Sequence, residues 1–235
     1  MTSKSVAAVI LAAGGSQRMG QPKQLLPFRE QTLLRRAVET ALASICRPIL
    51  VVIGAHAELM SLELRSLPVL IAYNPEWESG IGSSLRVAIQ TLSAIEAVEG
   101  VVITLSDQPL VTGDALNTIV EAHYQTGKDI VASEYADTHG VPLFIGKRFF
   151  EEIAALAGTE GAKRVIDRHL EAMTTVPLVE AAFDVDTPHD YERLTSSHPS
   201  PVEIGATQTA RRSMSSKEAG ITVQLPPQIG ASARD

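Results

Sequence analysis

The chain has 235 residues, 45% of them hydrophobic, a net charge of -7 and a single cysteine. This length and apolar content can bury one sizeable core, while the acidic balance excludes nonspecific nucleic-acid binding, which needs a basic surface. One cysteine excludes an internal disulfide, and no CxxC or Cys/His cluster can hold zinc, so a reducing cytoplasm is the expected location. Cys46, at the end of the apolar run ALASIC with no adjacent base, is read as a buried structural thiol.

The N-terminal run VAAVILAA is apolar, rich in β-branched residues and too short to span a bilayer, and Arg18 and Lys23 beyond it do not suit a cleavage region. It is read as a first strand buried on both faces, and no membrane partner is expected. Gly14-Gly15 stops the run, and Ser16, Gln17, Arg18, Gly20 and Lys23 follow. Glycines let backbone N-H groups approach a ligand closely, and two cations beside them can offset anionic charge. The loop therefore reads as a polyphosphate cradle, although a glycine turn can also be a plain strand-to-helix connection. Neither GxxxxGK[ST] nor GxGxxG occurs here, and Pro22 keeps a helix from starting directly after the glycines.

Leu11-Ala12-Ala13-Gly14, Ser16, Arg18-Met19-Gly20 and Lys23-Gln24-Leu25-Leu26-Pro27 resemble the signature of the MobA-like NTP transferases, and within them the molybdenum cofactor cytidylyltransferases. The resemblance implies a three-layer Rossmann-like α/β fold with a mostly parallel mixed sheet. It implies that Leu11, Ala12, Ala13, Gly14, Gly15 and Ser16 contact the nucleotide, and that Arg18 and Lys23 bind it and act in catalysis.

Farther along, Thr32 can cap a helix over TLLRRAVETALASIC, and Pro48–Gly54 reads as a second buried strand. A helical piece from Ala57 to Leu67 and a short strand from Val69 to Asn74 follow. Strands alternating with helices predict a mostly parallel sheet. Next, Gly80-Ile81-Gly82-Ser83-Ser84 opens a helix SSLRVAIQTL, where Ser83 or Ser84 can cap the helix or offer a hydroxyl to a ligand. The pattern N-x-x-W-x-x-G-x-x-S-S-L from Asn74 resembles the family loop over base and ribose, which implies that Ser84, with Gly82 and Ser83, contacts the base. Trp77 can be a lid or a packing anchor, and anchoring is the favoured reading.

The apolar run GVVITLSDQPLV ends in Asp107, at the carboxyl end of a strand, where ligands bind in open parallel sheets. A carboxylate there can hold a divalent cation, although an Asp before Gln-Pro can also be a turn residue. L-S-D-Q-P-L-V resembles the family's DQPL segment, which implies that Asp107 contacts the nucleotide and ligates Mg2+. Thr112 then begins a helix, and Asp129–Tyr135 reads as a strand followed by a polar turn, ADTHG. A lone histidine in such a turn is more often solvated than catalytic. By resemblance, His139, Gly140 and Pro142 lie near the acceptor substrate, with His139 before the glycine instead of after it.

Lys147–Leu156 and Ala162–Leu170 read as helices around a structural glycine segment. In TTVPLVEAAFDVDTPHDYERL a strand is expected to carry Asp184 and Asp186 on one face, with Thr187-Pro188 starting a helix and Asp190 completing a capping box. D-x-D-T-P-x-D-Y resembles the family's second acidic site, which implies that Asp186 joins Asp107 at the metal, with Asp184 a weaker candidate; as a plain alternative Asp186 supports the turn. Residues 1–195 are taken as the MobA-like domain. Residues 196–235, rich in Ser, Pro, Gly and Thr without an apolar period, are expected to be a disordered tail, and Arg211-Arg212-Ser213 within it is too common a pattern to carry weight.

The resemblance implies transfer of CMP from CTP to molybdopterin or its metal-loaded form with release of pyrophosphate, and a molybdenum hydroxylase as a further partner. Two alternatives stay open. One is the same chemistry with GTP or on a sugar or polyol phosphate; the other is a nonenzymatic protein that delivers a cofactor.

Overall fold

Uninterrupted apolar runs form the strands here, and runs with helical apolar spacing cover both of their faces. The computed structural model describes residues 4–197, all within one compact unit, Met1–His198. The expected tail, with Arg211-Arg212-Ser213, lies outside the described residues apart from Ser196 and Ser197, which end the last helix.

Strand β1 (Ser5–Ala12) is followed by a two-stranded hairpin of β2 (Pro27–Phe28) and β3 (Gln31–Thr32). Next come α1 (Leu33–Ala43), β4 (Ile49–Ile53), α2 (Ala57–Leu64), β5 (Leu70–Tyr73), α3 (Ile81–Ser93), β6 (Val98–Leu105) and α4 (Gly113–Thr126). The chain continues with β7 (Ile130–Tyr135), β8 (Thr138–Gly146), α5 (Phe150–Ala154), α6 (Lys163–Arg168), β9 (Met173–Pro177) and α7 (Pro188–Ser197). Seven strands form one sheet in the order β5-β4-β1-β6-β8-β7-β9, in which β8 alone runs antiparallel to its neighbours. This is the mostly parallel Rossmann-like α/β sheet that the alternating pattern predicts.

Alternation along β1 explains why its whole run is apolar. Ala7, Val9 and Leu11 enter one core with Leu85 and Ile89 of α3, Ile153 of α5 and Val165 of α6. Val6, Ala8, Ile10 and Ala12 enter the other with Leu34 and Val38 of α1, Met60 of α2 and Leu116 and Ile119 of α4. Full burial of the Val, Leu, Ile and Met side chains among them is worth roughly 1.5–3 kcal/mol each. A third, smaller cluster of Met19, Leu26, Phe28, Leu33, Val185 and Leu194 ties the glycine loop and hairpin to α7.

Four boundaries differ from expectation. Helix α1 ends at Ala43, where the Ser44 hydroxyl donates to Ala41 O at 2.7 Å, so Cys46 lies beyond the helix, although buried. Helix α3 begins at Ile81 with Gly80 as its N-cap, so neither Ser83 nor Ser84 caps it. The polar turn shrinks to Ala136-Asp137, both with positive φ, because His139 pairs with Glu134 and Thr138 with Tyr135; His139 and Gly140 therefore belong to β8. Strand β9 ends at Pro177, and Asp184 and Asp186 lie on a chain segment without ladder pairing that crosses toward β6. There Val185 N-H donates to Asp107 O at 2.9 Å and its side chain is buried, which brings Asp184 within reach of the Asp107 charge and lets Lys23 bridge Asp107 and Asp186.

Candidate active site

A cleft of about 620 Å3 opens at the carboxyl ends of β1 and β6. Leu11, Ala12, Ala13, Gly14, Gly15 and Lys23 line it, together with Trp77, Ser84 and Asp107. Ser16, Arg18, Gly82, Ser83, His139, Gly140, Pro142 and Asp186 do not line it.

Gly14 faces open space, since a Cβ there would meet nothing within 4 Å, whereas a Cβ on Gly15 would stand 2.8 Å from the Trp77 ring. One glycine leaves room for a ligand and the other makes room for the tryptophan. Trp77 thus anchors the loop against the glycines and at the same time forms a wall of the cleft.

The loop's shape depends on a residue to which the sequence assigns no role. Gln24 is 1% exposed, and its amide donates to Ala12 O at 3.2 Å and Gly14 O at 2.8 Å. Its carbonyl accepts from the Ser16 hydroxyl at 3.1 Å, and that same hydroxyl accepts from Lys23 N-H at 3.1 Å. Ser16 therefore spends its side chain on holding the loop, in a left-handed conformation with φ 53°. The available signal was a glutamine set between Lys23 and the apolar pair Leu25-Leu26.

The start of α3 is organised in the same way. Buried Asn74 donates to Ser83 Oγ at 2.8 Å and Ser84 Oγ at 2.9 Å, and Ser83 Oγ donates to Gly80 O at 2.7 Å. Gly82 donates its N-H to Gly158 O at 2.8 Å, and a Cβ there would stand 2.1 Å from Ala157 O. Of the three residues expected to contact the base, Ser84 alone lines the cleft, while Gly82 packs against the glycine segment at 157–160 and the Ser83 hydroxyl is held by Asn74, Glu76 O and Gly80 O.

The charged residues converge beside the glycine loop. Lys23 Nζ, its side chain only 14% exposed, contacts Asp107 Oδ2 and lies 2.6 Å from Asp186 Oδ1. Arg18 Nη2 reaches Asp186 Oδ2 at 2.8 Å. Burial alone would lower the Lys23 pKa, but the two carboxylates hold it above its ordinary value. Burial likewise works against ionised Asp186, and Lys23 and Arg18 outweigh it, keeping the carboxyl below its usual range. Asp184 sits at the edge of this cluster. Partial withdrawal from water, then the charge of Asp107, push its carboxyl up to about 6, although the residue as a whole remains exposed.

Asp107 is aimed by its neighbours. Gln108 donates to Ala181 O at 3.0 Å, and Arg36 Nε donates to Pro109 O at 2.5 Å. Asp107 Oδ1 is buried without a hydrogen-bond partner, an expensive state for a carboxylate oxygen unless a cation or donor completes it. Oxygen donors from two carboxylates suit magnesium, which takes its remaining ligands from water and phosphate. Among the described residues no group of three or more His, Cys, Asp or Glu side chains forms a protein cage for a metal ion.

The expected acceptor residues flank Val141, whose carbonyl accepts from the Gln108 amide at 3.4 Å. His139 Nε2 is 3.8 Å from Asp167 Oδ1, Gly140 packs under the Tyr135 hydroxyl, and Pro142 O accepts from buried Ser133 at 2.6 Å. Pro142 is thus a sheet residue whose carbonyl is already engaged.

The profile of the MobA-like NTP transferase domain matches residues 8–173. The chain belongs to this family. It is accordingly a nucleotidyltransferase, related to molybdenum cofactor cytidylyltransferase. It is 24% identical to that enzyme of Escherichia coli over 187 residues, covering 80% of this chain and 94% of the relative. It is 28% identical to the nicotine blue oxidoreductase of Paenarthrobacter nicotinovorans over 200 residues, covering 80% and 96%. The crystal structure of Rv0371c from Mycobacterium tuberculosis superposes with a TM-score of 0.71 at 30% identity, covering 83% of this chain and 98% of that one. A further structure of Rv0371c, with a TM-score of 0.70, is a complex with manganese. No helix among the described residues is long and apolar enough to cross a membrane.

Proposed function

We propose that this chain transfers CMP from CTP to the terminal phosphate of molybdopterin, or of its metal-loaded form, and releases pyrophosphate. The observation that carries this reading is the convergence of Lys23, Arg18, Asp107 and Asp186 beside a glycine-lined cleft. An oxygen of the acceptor phosphate attacks the α-phosphorus in line, the bond to the β-phosphate oxygen breaks, and pyrophosphate carries away the electron pair. The acceptor is already ionised at neutral pH, so the step asks for positioning and charge stabilisation and no strong base.

Gly14 and the loop amides cradle the phosphates, Lys23 neutralises charge growing around the α-phosphate, and Arg18 holds the departing pyrophosphate. Asp107 and Asp186 would hold magnesium, which when bound adds positive charge at the phosphates. The manganese complex of Rv0371c supports a divalent-cation site in this fold. Ser84, which lines the cleft, is the candidate for contact with the base, and His139 and Gly140, next to the Val141 carbonyl that Gln108 reaches, are the candidates on the acceptor side.

The likeness to nicotine blue oxidoreductase offers a different class of reaction. Cations that can take up phosphate charge and carboxylates that can hold a divalent cation are the parts phosphoryl transfer asks for, so the ion cluster favours that chemistry. The experiment is incubation with magnesium, molybdopterin and each of the four NTPs, with pyrophosphate release as the readout. Release with CTP alone supports the proposal. Release with GTP reassigns the base, and none with any NTP points to another acceptor or to a cofactor-delivery role.

A further inference from the structure

Ten large apolar side chains are exposed among the described residues, and five of them, Leu59, Leu62, Leu70, Ile71 and Tyr73, sit on α2 and β5. Strand β5 is an edge of the sheet. Asn74 N-H donates to Ile53 O, so by the alternation of a parallel ladder Ala72 also turns its backbone toward β4, and Ile71 and Tyr73 turn theirs outward. An apolar edge with free backbone groups is a template for pairing. The opposite edge, β9, is blunted: it carries Thr174 and Thr175, ends in Pro177, and its Thr175 hydroxyl is engaged by Glu134 at 2.7 Å. Strand β5, Leu70–Tyr73, is shorter but has no proline and no polar side chain other than the Tyr73 hydroxyl.

A groove runs beside this edge, with Ile53, Ile71 and Tyr73 on its strand side and Glu58, Ser61, Leu62 and Arg65 on its helix side. Residues spaced three, four and seven apart share one helix face, and Glu58 and Arg65 stand two turns, or about 10.5 Å, apart on it. Opposite charges thus flank an apolar centre. Such a face is complementary to itself when reversed, which a two-fold axis does.

We propose that this face joins two copies of the chain. The two β5 strands run antiparallel across the axis and continue the sheet, and the two α2 helices lie antiparallel with Leu62 near the centre. Glu58 of each copy meets Arg65 of the other. Each copy carries a charge of -7, so the copies repel at long range, but the contacting faces are balanced, with one acid and one base each. A second copy fits better than an acidic or basic partner, which would satisfy only one end of the groove.

Sedimentation velocity on the full chain, from about 1 to about 100 μM, tests the proposal, with a dimer as the expected result. Charge reversal by Glu58→Arg or Arg65→Glu raises the dimer dissociation constant at least about tenfold, because both symmetry-related pairs become repulsive. Mixing the two variants in equal amounts restores a dimer, since in the mixed pair opposite charges meet again at both ends. That restoration also shows that neither variant is misfolded. Ile71→Lys, at the unpaired edge, abolishes association. A monomer at every concentration overturns the proposal, as does a dimer indifferent to all three substitutions, and so does failure of the mixture to reassociate.

Discussion

At the scale of single residues, Lys23 and Gln24 are neighbours with opposite duties. Lys23 projects its charge to the end of the cleft, where Asp107 and Asp186 hold it ready. Lys23→Ala should lower the rate of pyrophosphate release at least about a hundredfold, the scale of a single preorganised electrostatic donor, while weakening nucleotide binding much less. Near-normal turnover would remove Lys23 from the chemistry. Gln24, by contrast, touches backbone: truncation removes the buried amide that holds Ala12 O, Gly14 O and the Ser16 hydroxyl. Gln24→Ala should cost about 1–3 kcal/mol in urea unfolding and also weaken nucleotide binding, because the loop loses its clamp. Unchanged stability would mean that the glycine loop holds its shape without it.

At the scale of elements, α7 shows how a local signal serves the site. Thr187 N-H and hydroxyl both donate to Asp190 Oδ2, at 2.9 and 2.6 Å, and Asp190 N-H donates back to Thr187 Oγ1 at 3.2 Å. This box starts the helix that brings Leu194 to Met19 and Phe28, directly after Asp186. Hydrogen bonds from Thr187 keep the Asp190 carboxyl below its ordinary pKa, so its contribution is present above about pH 4 and is lost as pH falls further, through the folded value. Asp190→Ala should therefore destabilise the protein by about 1 kcal/mol at neutral pH, and thermal melts should show the gap closing as pH drops below 4. A gap independent of pH would assign the loss to packing.

That capping box was legible in sequence because its partners are three residues apart, and β1 was legible because full burial leaves nothing but apolar residues in the run. Helix α1 with Thr32 as its cap follows from the same kind of local rule, and the Thr32 hydroxyl does accept from Arg35 N-H at 3.0 Å. The features that escaped depend on distant pairing. Residues 138–140 look like turn sequence, yet strand β7 draws them into a ladder. Ser83 looks like a cap, yet Asn74, nine residues earlier, captures it inside the helix. Gly82 looks like a ligand contact, yet a loop more than seventy residues away fills the space above it. Polar and glycine residues near a site divide between touching ligand and shaping backbone, and local sequence carries no signal for that division.

At the scale of the molecule, a net charge of -7 gives an anionic nucleotide no general attraction, so local cations must supply it. Lys23 and Arg18 are already engaged by Asp107 and Asp186, two positive charges against two negative. On the proposed function, phosphates compete with the carboxylates for those cations, and a divalent cation competes with Lys23 for the carboxylates. Each ligand therefore frees the partner that the other needs, which is positive coupling, equal in both directions. Without nucleotide, Lys23 guards the carboxylate pair, and binding of Mn2+ should be weak. Removing the guard by Lys23→Met should tighten Mn2+ binding at least about tenfold, a coupling near 1.4 kcal/mol, read by the electron paramagnetic resonance signal of free Mn2+ in a nucleotide-free titration. The same substitution thus slows turnover while strengthening metal binding, a split that a merely structural lysine would not produce. Equal or weaker Mn2+ binding by the variant would show that Lys23 and the cation do not compete for Asp107 and Asp186.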